Sequence, residues 1–222
     1  VVRNVDYTSI GVSADEFIKS LMDHQEKLHF ALGRGRKRAS IGVHDLARLA
    51  PPFTVKAVSG DTKFTPLAAT EPMSIKEIMA EHPKGIEYAH LLSEFDRYPI
   101  ILDAENNVLS FPPIINGDHT TVTKETKDFF IDVTGWDIRA CESSLMLIAL
   151  QLQEYGGIIE TVEVTNCFGE TNVYPNGSAV EHKLTIAAIQ GLLGGKLTEE
   201  AISEAINRMG GKLVACNDEF IT

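Results

Sequence analysis

FFIDVTGWDIRACESSLMLIALQLQEYGGIIE, residues 129–160, changes its hydrophobic period once, and that change decides the fold. Residues 129–134 are β-branched and aromatic and read as a strand. Successive side chains of a strand alternate sides, which puts Phe130, Asp132 and Thr134 on one face and Phe129, Ile131 and Val133 on the other. Over 136–155 apolar residues recur at Cys141, Leu145, Ile148, Leu152 and Tyr155, the spacing of a helix, and Gly156-Gly157 stops it. Residues 158–164 then read as a second strand, completing a βαβ-like unit.

The same logic works outward. Residues 14–32 place Phe17, Leu21, Leu28 and Ala31 near helical spacing, with Ser13 or Asp15 to cap the start and Gly33 to end it. A short apolar strand is expected at 39–43, then a segment at 45–49 closed by Pro51-Pro52, which a helix does not continue through. Residues 74–81 and 86–93 read as short helices, and 98–111 as a hairpin turning at Asn106-Asn107. Gly, Asn and Pro accumulate at 166–178, a composition break, and amphipathic segments follow at 184–193 and 198–209. The expected class is α+β: a mixed β-sheet with packed helices over 1–170, followed by a small, partial helical domain over 171–222.

The chain has 222 residues, 44% of them hydrophobic, enough for a sizeable core in one or two domains. Its longest apolar run, 145–150, falls far short of the roughly 20 residues of a membrane helix, and no charged-then-apolar leader opens it. A cytoplasmic protein with no membrane partner is therefore expected. The net charge of −11 argues against indiscriminate binding to nucleic acid, and no DNA partner is expected. GRGRKR at 33–38, flanked by Lys27 and Arg48, is a local basic block that reads either as a phosphate contact or as a solvated loop. Cys141, Cys167 and Cys216 are odd in number and widely spaced, so they are expected as buried, reduced thiols rather than a disulfide framework or a metal clamp.

Few constellations carry chemistry. Ser110, His119 and Asp132 could form a triad, yet Ser110 lies in LSFPP and not in a G-x-S-x-G elbow. Glu26 and His29 stand at i, i+3, and His44 is beside Asp45, but no second Glu-x-x-His or HExxH completes a metal set, so no metal is expected. The basic block lacks GK[ST] and GxGxxG, which leaves no nucleotide cradle. What remains is Ser110, Asn116, Asp132 and Thr134, polar groups on strand ends and loops. Asp132 can equally serve as the cap of the helix that begins near Asp137.

Three longer motifs then carry a resemblance. QEKLHFALGRGRKRASIGVHDLARLAPPFTVKA at 25–57, GIEYAHLLSEFDRYPIILDAENNVLSFPPIINGDHT at 85–120 and TKDFFIDVTGWD at 126–137 resemble, in order, the β chain of phenylalanyl-tRNA synthetase of the archaeal and eukaryotic type. The resemblance implies a tRNA-editing domain over 1–170 and the start of the small downstream domain over 171–222. It also implies an excised segment, with one domain preceding Val1 and synthetase-like domains following. The implied enzyme is an aminoacyl-tRNA ester hydrolase within an ATP-dependent ligase that attaches Phe to tRNA(Phe). Its partners would be tRNA(Phe) and the catalytic α chain, in a heterotetramer. No cofactor belongs to this segment, ATP and magnesium being implied only for the α chain.

Physical need fits that implication. A pocket shaped for Phe rejects the hydroxylated isostere Tyr by only about 10²-fold, so a second site must hydrolyse Tyr-tRNA(Phe). A site built around the phenol hydroxyl reverses the preference, because Phe leaves its polar groups unpaired. Carried over by position, the editing pocket falls on Leu102, Ser110, Asn116, Asp132 and Thr134. Ser110, Asn116, Asp132 and Thr134 are the implied catalytic residues; Leu102, Ile114, Ile115 and Phe130 are the substrate-binding wall, its direction set by Pro112-Pro113. Arg34, Arg36, Lys37 and Arg38 are the implied tRNA contacts, a contact to a neighbouring domain being an equal alternative. By the resemblance a small polar residue is expected where Trp136 stands; the indole either reshapes the mouth of the pocket or packs on the following helix, and packing is the favoured reading. The alternative is a non-catalytic scaffold or tRNA-binding module of the synthetase.

Overall fold

Described over residues 1–196 and 198–222, the computed structural model begins with a strand that no periodicity announces, β1 (Val2–Arg3). Helix α1 (Ala14–Ala31) is capped by Ser13, whose hydroxyl accepts from the Glu16 amide while the Glu16 carboxylate accepts from the Ser13 amide. Then come β2 (Ala39–Asp45), β3 (Thr54–Val58), β4 (Lys63–Phe64) and β5 (Met73–Ser74). Two short helices, α2 (Ile75–Glu81) and α3 (Pro83–Tyr88), lead to β6 (Tyr98–Leu102), β7 (Val108–Phe111) and β8 (Ile115–Asn116). The segment that opens the sequence reading becomes β9 (Phe129–Gly135), α4 (Ile138–Glu154) and β10 (Ile158–Ile159).

Two sheets organise the first of two units, Val1–Asn176. The first has the order β10-β1-β9-β2, every neighbouring pair antiparallel. Because β1 runs against both β9 and β10, those two are parallel, and α4 crosses between them with β1 inserted. One face of this sheet gives Ile41, Val43, Phe129 and Ile131 to a core with Phe17 and Leu21 of α1 and Ile148 and Leu152 of α4. Phe17, Leu21, Phe129 and Leu152 are at most 1% exposed, each stabilising the unit by about 1.5–3 kcal/mol. The second sheet, β3-β6-β7-β8, buries Ile100, Leu102, Val108, Phe111, Ile114 and Ile115 against Ile75 and Ile78 of α2. Its other side offers Ile101 and Leu109 to Phe130, so the two sheets meet through that cluster. The α+β class expected from periodicity is the class observed.

Several boundaries differ from the sequence reading. The strand expected at 158–164 divides: Ile158–Ile159 stays in the first sheet, and β11 (Val162–Thr165) pairs with β12 (Thr171–Tyr174) as a hairpin. The composition break at 166–178 takes in the turn of that hairpin, β12 and the division between the two units after Asn176; in the turn Asn166 Oδ1 accepts from the amides of Phe168 and Glu170 and Gly169 takes a φ of 83°. Cys167 is exposed on this turn, not buried; Cys141 and Cys216 are partly exposed, and all three are free. The helix expected at 86–93 starts earlier, at Pro83, whose missing N–H is harmless in a first turn, and finishes as a 3-10 turn at Ala89–Leu91. Residues 45–49 form a 3-10 turn, Leu46–Arg48, capped by Asp45.

The second unit, Gly177–Thr222, contains β13 (Leu184–Thr185), α5 (Ile186–Leu193), α6 (Glu199–Arg208) and β14 (Phe220–Ile221), with β13 and β14 paired. An open groove on it is lined by Glu199, Glu200, Ser203, Glu204, Asn207, Arg208 and Leu213, none of them a residue singled out by the sequence. No helix among the described residues is long and apolar enough to cross a membrane.

Candidate functional site

Cross-strand register builds the first half of the site. Along the β2–β9 ladder, Ser40 stands opposite Thr134, Gly42 opposite Asp132 and His44 opposite Phe130. Directly opposed residues share a face, so Ser40, His44, Phe130, Asp132 and Thr134 all lie on the side turned away from α1 and α4. Asp132 is 9% exposed and His44 fully buried. An isolated buried carboxylate would be costly, and the cost is offset by His44, whose Nε2 lies 2.6 Å from Asp132 Oδ1. The other ring nitrogen of His44, Nδ1, lies 2.8 Å from the Thr120 hydroxyl, which donates to the Gly117 carbonyl at 3.1 Å. Asp132 thus does not cap the following helix; Asp137 does, accepting from the Ala140 amide. The other Asp132 oxygen has no hydrogen-bond partner among the described residues.

Gly42 makes this pair possible. A Cβ there would lie 2.0 Å from Asp132 Oδ1 and 2.7 Å from His44 Nε2.

The second sheet supplies the other half. A bulge in the β6–β7 ladder pairs Ile101 with Ser110 and Leu102 with Val108. Ser110 in turn stands opposite Asn116, and its hydroxyl donates to Asn116 Oδ1 at 3.2 Å. Both therefore point to the side of Ile101, the side that meets Phe130. Leu102, Ile114 and Ile115 lie on the opposite side, in the core with Ile75 and Ile78. Ile114 is 0% exposed, so these three back the wall from behind, whereas Phe130 stands on its front. Gly117 closes the turn after Asn116: its amide donates to the Leu109 carbonyl at 2.7 Å, and a Cβ would lie 2.2 Å from the Val108 carbonyl oxygen. From there the chain reaches Thr120, which returns to His44 and ties the two sheets together.

No Ser-His-Asp relay is assembled. Ser110 donates to Asn116, and the histidine on Asp132 is His44, not His119. Burial lowers the pKa of His119 below the ordinary histidine value. Among the described residues no group of three or more His, Cys, Asp or Glu side chains is placed to hold a metal.

The basic block divides in two. Arg36 is a strut: its guanidinium donates to the carbonyls of Pro113 and Ile114 at 3.2 and 3.0 Å and to Glu26 at 3.0 Å, and sits 4.4 Å from the Tyr88 ring centroid. Arg38 pairs with Asp137. Arg34 and Lys37 are exposed, and their side chains make no hydrogen bond or ion pair among the described residues. Glu26 is held down to about 2 by His29 and by Arg36. Geometry favours Arg36 as the closer partner, because His29 Nδ1 is 3.6 Å from Glu26, beyond hydrogen-bond reach, while its Nε2 accepts from the Ile41 amide.

Trp136 does not pack on the following helix. It is 83% exposed and stacks on Phe95, ring centroids 6.3 Å apart.

His44, Thr120, Ser40 and Gly42 are the residues that sequence reasoning missed. A signal was present: ASIGVHD, residues 39–45, alternates apolar and polar as FFIDVT does, but only if the strand continues past Val43 to include His44.

Comparison with known proteins bears on this geometry. The family described as the B3/4 domain matches residues 12–151, more than half of the chain. The chain belongs to the B3/4 domain family. The match contains both sheets' site residues and stops before the β11–β12 hairpin and the second unit.

Within this B3/4 family chain the resemblance carried by the three motifs holds throughout. It is 48% identical over 221 residues to the phenylalanine–tRNA ligase beta subunit of Methanosarcina acetivorans, covering 100% of this chain and 39% of that one. It is 45% identical over 201 residues to the same subunit of Methanocaldococcus jannaschii, covering 89% of this chain and 36% of the relative. The chain therefore spans well under half the length of these curated relatives. An N-terminal fragment of the phenylalanyl-tRNA synthetase beta-subunit from Pyrococcus horikoshii superposes with a TM-score of 0.91 at 32% identity, over 99% of this chain and 62% of that fragment.

Proposed function

We propose that this segment hydrolyses the ester that links Tyr to tRNA(Phe), within a synthetase whose α chain attaches Phe to the same tRNA. The observation that carries the reading is the Asp132 carboxylate, one oxygen fixed by buried His44 at 2.6 Å and the other without a hydrogen-bond partner among the described residues, on the face that the Ser110–Asn116 pair also addresses.

In this reading the free oxygen of Asp132 holds the attacking water, or the ammonium group of the amino acid, against the ester carbonyl. His44 keeps the carboxylate in one orientation, so less is lost in ordering it at each turnover. Water adds to the carbonyl carbon, the bond to the ribose oxygen breaks, and that oxygen takes up a proton, leaving Tyr and tRNA with a free terminal ribose. The neighbouring ribose hydroxyl assists that proton transfer, and Thr134 and Ser40 offer hydroxyls along the same strand face. Ser110 and Asn116 receive the phenol hydroxyl; a Phe ester would leave the pair short of a partner. Leu102, Ile114 and Ile115 hold the wall, and Arg36 fixes its rigid hinge to the basic loop. Arg34 and Lys37 are the proposed phosphate contacts, and the setting is cytoplasmic.

Deacylation of Tyr-tRNA(Phe) by the 222-residue chain, with Phe-tRNA(Phe) as the comparison, tests the proposal. Tyr ester should disappear at least tenfold faster than Phe ester. Equal rates, or none above spontaneous hydrolysis, would leave a scaffold or tRNA-binding module as the function.

A further inference from the structure

Trp136 is the chain's single tryptophan, and together with Phe95 it presents aromatic surface to solvent, the two being 83% and 43% exposed. Their planes are 18° apart, a near-parallel offset arrangement. Backbone hydrogen bonds hold both residues in place. The Trp136 amide donates to the Arg38 carbonyl at 3.1 Å, and the Phe95 amide donates to the Leu92 carbonyl at 3.1 Å. Trp136 follows Thr134 by two residues, so the pair stands at the end of the strand that carries Asp132.

The neighbourhood carries charge of both signs: exposed Glu94 and Asp96 flank Phe95, and Asp137, which follows Trp136, pairs with Arg38. The Arg38 carbonyl that anchors Trp136 belongs to the basic loop, in which the exposed Arg34 and Lys37 side chains make no hydrogen bond or ion pair among the described residues, although the chain as a whole carries −11. Exposed flat rings next to a loop that carries exposed cations are a combination that binds single-stranded nucleic acid, bases on the rings and phosphates on the cations.

We propose that Trp136 and Phe95 form a stacking platform for a nucleobase near the single-stranded 3′ end of tRNA, with Arg34 and Lys37 on the adjoining phosphates. This rests on the reading that the acceptor end is delivered to Asp132, and it adds how that end is gripped. Stacking recognises the π-face of a base and not its edge, so the platform serves position rather than sequence.

The single tryptophan makes a direct test possible. The chain is titrated with the trinucleotide cytidylyl-cytidylyl-adenosine and indole fluorescence is followed, with an abasic ribose-phosphate trimer of equal charge as the control. Saturable quenching by the trinucleotide and none by the abasic trimer is expected, with Phe95→Ala weakening the apparent affinity about tenfold. In anisotropy with a labelled trinucleotide, Trp136→Ala should weaken binding about tenfold and Trp136→Phe should restore most of it. Asp132→Asn should quench like the unaltered chain even if deacylation is absent, which separates the platform from the proposed chemistry. Equal quenching by the abasic trimer, no quenching at all, or a fluorescence change that depends on protein concentration alone, the mark of self-association, would overturn the proposal.

Discussion

His44 Nε2 and Asp132 Oδ1 lie 2.6 Å apart although 88 residues separate them, and their contact passes over a residue with no side chain, Gly42. The expected consequence is sharp intolerance at position 42. Gly42→Ala would place a Cβ 2.0 Å from the carboxylate oxygen, forcing the pair apart or the strands out of register. A loss of about 1–3 kcal/mol is expected from urea denaturation. If the proposed chemistry is right, deacylation should fall further than the unfolded fraction accounts for. A variant as stable as the unaltered chain would show that the close approach is not needed.

The basic block should divide by function as it divides by geometry. Arg36→Ala removes bonds to two carbonyls and a carboxylate, and charge-assisted hydrogen bonds of this kind contribute about 1.5–3 kcal/mol. Thermal denaturation should register that loss. Replacing Arg34 and Lys37 together by Ala should leave the melting temperature within a degree or two, weaken tRNA binding and flatten its salt dependence. The reverse pattern would mean that Arg36 is the phosphate contact.

Acid should act through Glu26. His29 and Arg36 hold its carboxyl at about 2, against an ordinary value of 4.5, so the folded state favours the ionised form more than the unfolded chain does. That contribution is fully present above about 4.5 and is lost as pH falls from there toward about 2. Its size is reduced by solvent, since the side chain is 53% exposed. Glu26→Gln should flatten the stability curve in this window and leave its slope near neutrality unchanged; an unaltered acid limb would remove Glu26 from the linkage.

How much of this was legible in the sequence follows from the range of each interaction. The helix at 14–31, the hairpin of β6 and β7 and the alternation in FFIDVT are local patterns, and they appear within a residue or two of where periodicity puts them. The insertion of Val2–Arg3 between β9 and β10 is not local: two residues cannot display a period, and pairing partners 127 and 157 residues away leave no mark on the segment itself. Gly, Asn and Pro at 166–178 read as a single break because turn residues look alike in a hairpin and in a linker, and the stretch holds both, the hairpin turn at 166–170 and the division after Asn176; the alternation of TVEVT and TNVY around the turn was the discriminating signal. Asp132, Thr134, Ser110 and Asn116 could be picked out by residue type and resemblance. For His44 the alternation of ASIGVHD gives the strand face, but its role exists only once β2 lies against β9.

The most direct measurement is the rate of Tyr-tRNA(Phe) deacylation by Asp132→Asn, taken with its unfolding curve on the same preparation. Asparagine keeps the shape and can still accept from His44, so the fold should persist while the anionic oxygen is lost. The predicted result is a stable protein whose deacylation is lower by about 10²-fold or more, the usual range for a positioned acid or base. A variant that hydrolyses the ester at the rate of the unaltered chain would contradict the assignment of Asp132 to the chemistry.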